Sequence, residues 1–364
     1  MTAIIGSLLC VLAGVGVGSF LLPLKFSRTW RWENSWLVGA LFMYVLLPLA
    51  GLALIVPQFR QVYAATPAKD LSMIYLFGVI QGTGAFVFTY GTTLLGLSLG
   101  YALMISCIAL FGMLVPLFGA HLDRVAKLDG ITLLVGAALL ILGFGFAGSA
   151  GLAREAESRA REGPAAGPRA LSIPLAAAVI LWSGFANALY YFTFEFQQTM
   201  KGMAIERFGV APFAWGFLNI VPFFLGMFTT NLLMTLWKMV REGTVRNYWS
   251  AEGLLREYGL GMAIGLTWYL GQGVAYPVAQ ALLGPLGVAV GAALFMGMIM
   301  VVSTVAGLRT GEWAGTSAST RRKLYSSLLV LIVAMSTIAI GNYLQQTLFD
   351  TQTTARACSE GFHG

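Results

Sequence analysis

Two stretches of about fifty residues without a single charged side chain constrain this chain more than any other feature. The first runs from Leu71 to Ala120 and the second from Tyr258 to Leu308, and neither contains Asp, Glu, Lys or Arg. Crossing the ~30 Å hydrocarbon core of a bilayer takes about 20 apolar residues as a helix, which satisfies its own backbone polar groups. Each stretch is therefore long enough for two membrane crossings joined by a short turn.

The composition of the whole chain agrees with this interpretation. Of the 364 residues, 58% are hydrophobic and 10% are charged, against about 25% charged residues in ordinary soluble domains. The alternating polarity of barrel strands is absent. We therefore expect an all-α membrane protein with about ten transmembrane helices. The apolar runs predict these helices near Ile4–Leu22, Trp36–Val56, Leu71–Tyr90, Leu99–Phe118, Leu128–Phe146, Leu171–Phe196, Phe213–Trp237, Gly259–Leu283, Val288–Gly307 and Tyr325–Tyr343.

The longest hydrophilic break divides the predicted helices into five and five. We expect a first five-helix half over residues 1–149, a linker loop over 150–170, a second half over 171–344 and a polar C-terminal tail over 345–364. The two charge-free pairs are then helices 3 and 4 of one half and helices 8 and 9 of the other. Because each half has an odd number of helices, the halves form two inverted five-helix repeats. This arrangement is typical of transporters that expose a central site to each side in turn.

The distribution of basic residues predicts the orientation. The loops after helices 1, 3, 5, 7 and 9 carry fifteen of the 22 Lys and Arg residues, and the other side carries seven. Cytoplasmic loops hold the excess of basic residues in membrane proteins. We therefore expect a multi-pass protein of a bacterial inner membrane, with a cytoplasmic linker and periplasmic termini. The net charge of +7 follows from this orientation and needs no nucleic-acid partner.

Cysteine and histidine are too few and too scattered for common catalytic or metal sites. Cys10, Cys107 and Cys358 are far apart, and the two histidines, His121 and His363, fall in a loop and in the tail. No metal-binding pair, disulfide framework or Ser/His arrangement within the spans is indicated. An intramembrane enzyme is therefore disfavoured, and we expect no cofactor.

The first predicted cytoplasmic loop carries a distinctive motif, PLKFSRTWRWENSW. It resembles the P-x-K-x4-W-x-W-E-x2-W pattern of the L-rhamnose-proton symporter family, within the drug/metabolite transporter superfamily. The matching positions include Pro23, Lys25, Trp32, Glu33 and Trp36. The segments LFGVIQGTG from Leu76 and LGLSLG from Leu95 are similar to the third and fourth helices of that family in order and spacing. In the second half the similarity thins to WYL from Trp268 and GLRTGEW from Gly307.

The resemblance implies a ten-helix transporter that takes up a deoxy sugar, such as L-rhamnose, together with protons. The chain departs from the family pattern at 85–88, which is apolar, and in helix 6, which carries FEFQQ from Phe194. An importer or exporter of a different small metabolite is therefore the alternative function. A further alternative, besides the intramembrane enzyme considered above, is a purely structural scaffold. A scaffold would tolerate mutation at the polar positions described next.

Polar and aromatic side chains recur at helical spacing in predicted helices 6 and 8, and predicted helix 3 adds further polar residues. Sugar hydroxyls need polar partners inside a bundle, and sugar C–H faces stack on aromatic rings. Helix 8, for example, presents Tyr269, Gln272, Tyr276 and Gln280 at intervals of three and four. The competing interpretation is interhelical hydrogen bonding, worth under ~1 kcal/mol per residue on average. We expect the solute-binding residues to be Gln81, Tyr90, Asn187, Tyr191, Trp268, Tyr269 and Gln272.

Glu195 is the acid predicted to lie within a span. An acid inside a membrane is costly and is usually retained for function, which makes Glu195 the candidate proton-coupling residue. It lies near the end of predicted helix 6, so an interfacial acid is the competing interpretation. Among the motif residues, Lys25 fits a cytoplasmic anchor and Glu33 fits the start of helix 2. The motif tryptophans fit an interfacial aromatic belt.

Overall fold

The computed structural model describes residues 2–95, 97–162, 173–250, 252–284, 286–311 and 313–360, without the side chains of 86, 89–103, 159, 161–174, 176, 195–196, 346 and 348–360. Within these residues every regular element is helical and no strand occurs, which confirms the expected all-helical class. Seven helices of the described part are long and apolar enough to cross a membrane. They are Thr2–Phe26, Trp32–Ile55, Leu128–Ser158, Ala177–Arg207, Trp215–Glu242, Gly287–Arg309 and Ala318–Gln345.

The long helical segments of the described part are numbered in chain order. They are α1 (Thr2–Ser19), α2 (Trp32–Ile55), α3 (Ala68–Leu95), α4 (Leu97–Ala120), α5 (Leu128–Glu162), α6 (Ile173–Phe196), α7 (Trp215–Glu242), α8 (254–282), α9 (Gly287–Arg309) and α10 (Ala318–Glu360). Segment α8 contains a π-helical stretch, Tyr269–Ala275, between two α-helical parts. Because α3, α4 and α8 are not among the seven apolar helices of spanning length, the number of ten crossings stays a prediction.

Two helices run far past their predicted ends. Helix α5 was expected to end at Phe146 but continues to Glu162, through the first part of the expected linker. Helix α10 was expected to end at Tyr343 but continues to Glu360. Hydropathy marks only the apolar part of a helix, whereas the Ala, Glu and Arg residues after α5's apolar part are strong helix formers that continue it into water. Glu157 on this extension accepts hydrogen bonds from the hydroxyl and from the backbone N–H of Ser317.

Glycines bring several helices into backbone contact. On α3, a Cβ atom at Gly78 would lie 1.9 Å from the carbonyl oxygen of Phe223, and on α7 a Cβ at Gly226 would lie 2.1 Å from that of Tyr75. Helices α2 and α8 approach in the same way, since a Cβ at Gly265 would lie 2.7 Å from the carbonyl oxygen of Gly39. Small residues permit such close helix packing in lipid. These crossings hold the centre of the bundle together.

Contacts between loops gather the connections after α1, α5, α7 and α9 at one end of the bundle. Arg31 Nη1 after α1 lies 2.7 Å from Glu242 Oε2 at the end of α7. Lys25 Nζ donates to Thr310 Oγ1 after α9 over 3.0 Å, and the Arg154 guanidinium of α5 lies 4.9 Å from the Trp313 ring. These loops hold the sequence's excess of Lys and Arg, so we call this end the basic end.

At the basic end, Glu257 ties the α1–α2 loop to α8. Ser27 Oγ donates to Glu257 Oε2 over 2.6 Å, and the backbone N–H groups of Arg28 and Thr29 donate to Oε1 over 2.9 and 3.2 Å. Burial alone raises the pKa of the Glu257 carboxyl, but these donors outweigh burial, and the net pKa lies below its ordinary value. The carboxylate is therefore ionised at neutral pH and holds the loop as a charged acceptor.

Replacement of Glu257 by Gln is expected to lower the free energy of unfolding by about 1–3 kcal/mol at pH 7, because hydrogen bonds to a charged acceptor are lost. A carboxyl with a lowered pKa stabilises the fold above that pKa and loses the effect as pH falls through it. The difference between parent and Glu257→Gln should therefore shrink as the pH falls toward about 4. Thermal unfolding at both pH values measures it, with the exposed Glu252→Gln as control. A difference that grows on acidification would contradict this assignment.

Candidate functional site

A cavity of about 210 Å³ lies at the centre of the bundle. Described residues of α1, α2, α3, α4, α6, α7, α8 and α9 line it, and none of α5 or α10 does. We call it the central cavity. Its volume falls below the range of about 300–1,000 Å³ that is typical for drug-sized ligands, so it suits a small solute. Its polar and aromatic lining consists of Phe20, Trp32, Trp36, Tyr44, Gln81, Phe88, Asn187, Tyr191, Trp268 and Gln272.

Five of the seven predicted solute-binding residues meet in the central cavity. They are Gln81 of α3, Asn187 and Tyr191 of α6, and Trp268 and Gln272 of α8. Residues four apart on a helix share a face, which explains why the α6 pair and the α8 pair each point to one space. Three helices that are distant in sequence thus present polar groups to a single site.

The other two predicted solute-binding residues behave differently. The Tyr269 hydroxyl is buried against α2, where a Cβ at Gly51 would lie 2.3 Å from it, and Tyr269 does not line the central cavity. Tyr269 directly follows Trp268, and consecutive side chains of a helix point to different faces. The side chain of Tyr90 lies outside the described residues, as does that of the proton-coupling candidate Glu195. Their roles stay predictions.

Two polar atoms of the central cavity lack partners among the described residues. Asn187 Nδ2 donates to the carbonyl oxygen of Ser183 over 2.8 Å. By contrast, Gln81 Oε1 and the Tyr191 hydroxyl are buried without a hydrogen-bond partner among the described residues. A buried polar atom without a partner costs about 1–3 kcal/mol. A hydroxyl-bearing occupant would remove that cost by hydrogen bonding to both groups.

Two motif tryptophans form an aromatic wall of this cavity. The rings of Trp32 and Trp36 are stacked, with centroids 5.4 Å apart and planes 15° apart. Trp36 Nε1 donates to Asn231 Oδ1 over 3.2 Å. Both tryptophans were expected in an interfacial belt, whereas both line the central cavity. Their spacing of four on α2 was the available signal. An aromatic face of this kind stacks on the C–H groups of a sugar.

Tyr44 of α2 extends the aromatic wall, although it was not among the residues predicted from the sequence. Its ring lies 5.1 Å from that of Trp268 in an edge-to-face arrangement. Apolar residues complete the lining, including Ala85, Phe88, Met227 and Met296. Apolar side chains of a membrane helix carry no signal in the sequence that separates a cavity wall from a lipid-facing surface.

The remaining motif residues lie nearer the basic end. Pro23 lies in the first turn of the short helix Leu22–Phe26, and Lys25 lines a second cavity of about 320 Å³. Glu33 is 2% exposed in the first turn of α2, with Oε2 3.9 Å from Lys238 Nζ. Neither Lys25 nor Glu33 lines the central cavity. Among the described residues, no group of three His, Cys, Asp or Glu side chains is placed to hold a metal ion.

The central cavity is closed toward the end of the bundle opposite the basic end. Packed rings separate it from a third cavity of about 540 Å³, which Phe194, Lys201, Trp215 and Gln280 line in part. The layer of rings comprises Tyr190, Tyr191, Phe194, Phe223, Tyr276 and Phe295, with neighbouring centroids such as those of Tyr276 and Phe295 4.9 Å apart. Toward the basic end, Val17 of α1 and the next residues Phe20 and Leu21 line both the central and the second cavity. The site therefore adjoins the basic end and is sealed from the other.

Comparison with known proteins connects this site to one family. The sequence profile of the family described as L-rhamnose-proton symport protein matches residues 1–343. An L-rhamnose-proton symporter of Shigella flexneri is 26% identical over 341 residues, covering 91% of this chain and 96% of the relative. The L-rhamnose-proton symporter of Escherichia coli strain 55989 has the same identity and coverage. Because these relatives are named as symporters, the expectation that the chain is not an enzyme is confirmed.

Proposed function

Because the chain belongs to the family of L-rhamnose-proton symport proteins, we propose that it carries L-rhamnose or a related sugar into the cell together with protons. The central cavity carries this proposal. It combines three side-chain amides, Gln81, Asn187 and Gln272, with aromatic rings in a space that suits a small solute. Amides donate and accept hydrogen bonds, as sugar hydroxyls do.

The chemistry of the cavity wall suits a sugar that lacks one hydroxyl. Ala85 and Phe88 place an apolar surface beside the polar residues. A methyl group is stabilised against such a surface, whereas a hydroxyl there would lose its hydrogen bonds to water. L-rhamnose carries a methyl group where L-mannose carries a hydroxymethyl group, so the pair tests this surface directly.

Alternating access is supported by glycines that repeat between the two halves. Gly39 of α2 and Gly226 of α7 differ by 187 positions, as do Gly78 of α3 and Gly265 of α8. The crossings they form correspond as well, because α3 meets α7 through one pair and α8 meets α2 through the other. A duplicated and inverted unit produces such a repeat.

The packing partners of the helices support the same inverted relation. Suppose that each helix of the first half corresponds to the helix five places later, so that α1 pairs with α6, α3 with α8, α4 with α9 and α5 with α10. Exchanging the members of each pair turns the contact of α3 with α6 into that of α8 with α1, and the contact of α1 with α9 into that of α6 with α4. The contact of α5 with α10 is unchanged by the exchange. All of these contacts occur. We propose on this basis two inverted five-helix halves, as in the drug/metabolite transporter superfamily.

The distribution of charge supports an orientation. We propose that the basic end faces the cytoplasm of a bacterial cell and that both termini are periplasmic, because basic loops are retained on the cytoplasmic side. The central cavity adjoins the basic end, so the described conformation corresponds to an inward-facing state. Glu195 is the proposed proton-coupling residue on the strength of its place in α6.

Uptake into proteoliposomes tests the proposed function. With an inward proton gradient, the protein is expected to accumulate radiolabelled L-rhamnose above its outside concentration, and a protonophore should abolish the accumulation. Excess unlabelled L-rhamnose should compete more strongly than excess L-mannose. Absence of L-rhamnose uptake, with and without the gradient, would rule out the sugar assignment.

Two substitutions on α8 test the binding surface. Trp268→Ala and Gln272→Ala are each expected to raise the apparent KM for L-rhamnose by about tenfold, because each removes a contact worth about 1–2 kcal/mol. The matched controls are Trp249→Ala and Gln61→Ala, whose side chains are exposed outside the cavity. If the α8 variants reach normal levels in the membrane and keep the parent KM, α8 does not contribute to the site.

A carrier of a different small metabolite is the second candidate, and the apolar part of the cavity favours it. Met227, Met296, Ile105 and Ile108 contribute to the lining beside Phe88. Such a surface would also stabilise an amphipathic solute that presents one polar edge. Competition by a panel of small amphipathic metabolites in the uptake assay distinguishes the two, since the sugar carrier should respond only to sugars.

A further inference from the structure

Polar atoms without partners continue beyond the central cavity, toward the end opposite the basic end. Both side-chain polar atoms of Gln280 and the hydroxyl of Tyr276 are buried and have no hydrogen-bond partner among the described residues. Gln280 is 8% exposed and Tyr276 is fully buried. Buried polar atoms are nearly always paired in proteins. Two neighbouring residues with unpaired buried polar atoms therefore indicate a position where a bound molecule would supply the missing hydrogen bonds.

The two residues lie between the central and the third cavities. The Tyr276 ring is 5.6 Å from the Tyr191 ring, which lines the central cavity, and Gln280 lines the third cavity. Gly291 of α9 faces both polar groups. A Cβ there would lie 2.3 Å from Gln280 Nε2 and 3.3 Å from the Tyr276 hydroxyl. The amide and the hydroxyl thus meet at a position where the facing helix has no side chain.

Polar residues nearby that hold the bundle together each make at least one side-chain hydrogen bond. The Tyr190 hydroxyl donates to the carbonyl oxygen of Gln272 over 2.6 Å, and Asn219 Nδ2 donates to Thr193 Oγ1 over 2.8 Å. Tyr276 and Gln280 stand in the same buried layer without such bonds. Asn219 Oδ1 and the Tyr191 hydroxyl also lack partners among the described residues, whereas Gln280 lacks a partner at both of its side-chain polar atoms.

We propose that Tyr276 and Gln280 form a second solute-binding position, which holds a neutral hydroxyl-bearing solute between the third cavity and the central cavity. The inference rests on the proposed function and deepens it. A phenol and an amide each donate and accept hydrogen bonds, so together they match adjacent sugar hydroxyls without any charge. The position is filled when the packed rings separate and the end opposite the basic end opens. In the closed conformation its polar atoms are left without partners.

Three substitutions test the proposed position. Tyr276→Phe and Gln280→Leu remove the polar groups, and Gly291→Ala adds a methyl group between them. Each is expected to raise the KM for L-rhamnose uptake by about three- to tenfold, the effect of losing one hydrogen bond to a neutral partner. Gly297→Ala is the matched control, because its methyl group on the same helix would meet the flexible side chain of Met335 instead. Its KM should equal that of the parent.

Thermal unfolding of the solute-free protein gives a second readout. Removal of a buried polar group that has no partner relieves its desolvation cost. Tyr276→Phe and Gln280→Leu should therefore raise the melting temperature, or at least leave it unchanged, while transport weakens. A lowered melting temperature in both variants would overturn the proposal, since it would mean that these groups are paired and structural.

The uptake outcomes separate this proposal from the function on which it rests. If the wild-type protein takes up L-rhamnose and both polar variants keep the parent KM, the second position is refuted and the function stands. If the wild-type protein fails to take up L-rhamnose, the proposed function falls and this inference falls with it.

Discussion

Gly78→Ala is expected to prevent most of the protein from reaching its folded state. The new methyl group would lie 1.9 Å from the carbonyl oxygen of Phe223 on α7. Backbone atoms cannot move aside as the end of a side chain can, so α3 and α7 must separate along their crossing. Overpacking of a well-packed core costs about 1–3 kcal/mol and sometimes more, and we expect this variant at or above the top of that range.

The yield of monodisperse protein after extraction and its melting temperature measure the effect. Gly145→Ala on α5 is the matched control, since a methyl group there meets nothing within 4 Å and improves helix propensity by about 1 kcal/mol. Gly226→Ala should reproduce the loss, because its methyl group would lie 2.1 Å from the carbonyl oxygen of Tyr75. Normal yield and stability in both α3 and α7 variants would refute the backbone crossing.

Glu195→Gln is expected to abolish accumulation of L-rhamnose driven by a proton gradient while sparing exchange of labelled for unlabelled sugar. Gln keeps the size of the side chain but cannot bind and release a proton. Coupling requires that proton step, whereas exchange requires only that the loaded carrier reorient. Proteoliposome uptake with a gradient, compared with counterflow without one, separates the two activities.

Two further acids serve as comparisons for Glu195. Glu206→Gln changes an exposed acid after α6 and should leave both activities unchanged. Glu33→Gln changes an acid that is 2% exposed near Lys238. This variant should lower the yield of folded protein more than it lowers proton-driven accumulation by the protein that does fold. If Glu195→Gln retains accumulation with the parent pH dependence, Glu195 is an interfacial acid. If Glu33→Gln alone loses accumulation, Glu33 carries the proton.

Much of the central cavity was predictable because helical spacing is a geometric rule. Asn187 and Tyr191 are four apart on α6, as are Trp268 and Gln272 on α8, so each pair shares a face in any α-helical arrangement. In the membrane, polar side chains are driven to the bundle interior. Spacing and polarity together therefore locate the residues, although neither says which helices pack against each other.

The sequence could not separate positions that differ only in rotation or in surroundings. Tyr269 adjoins Trp268 in the sequence but packs against Gly51, because consecutive helical positions face different directions. The sequence positions of Trp32 and Trp36 are compatible with an interfacial belt and with a cavity wall. Only the packing of α2 against α7 and α8 distinguishes the two locations. The length of α5 was underestimated for another reason. A hydropathy pattern marks only the part of a helix that lies in the hydrocarbon core, and α5 continues beyond that part.

Sidedness of two parts of the chain tests most directly whether the halves are inverted around the cavity. Single cysteines at Ala160 in the central linker and at position 358, where the native residue is Cys358, can be labelled in intact cells with a membrane-impermeant thiol reagent. Cys10 and Cys107 are replaced by Ala in both proteins, and Cys358 is replaced as well in the protein that carries Ala160→Cys. Inverted five-helix halves predict that position 358 reacts from outside and position 160 reacts only after the membrane is permeabilised. Reaction of both positions from the same side would contradict the inverted halves and the transport mechanism built on them.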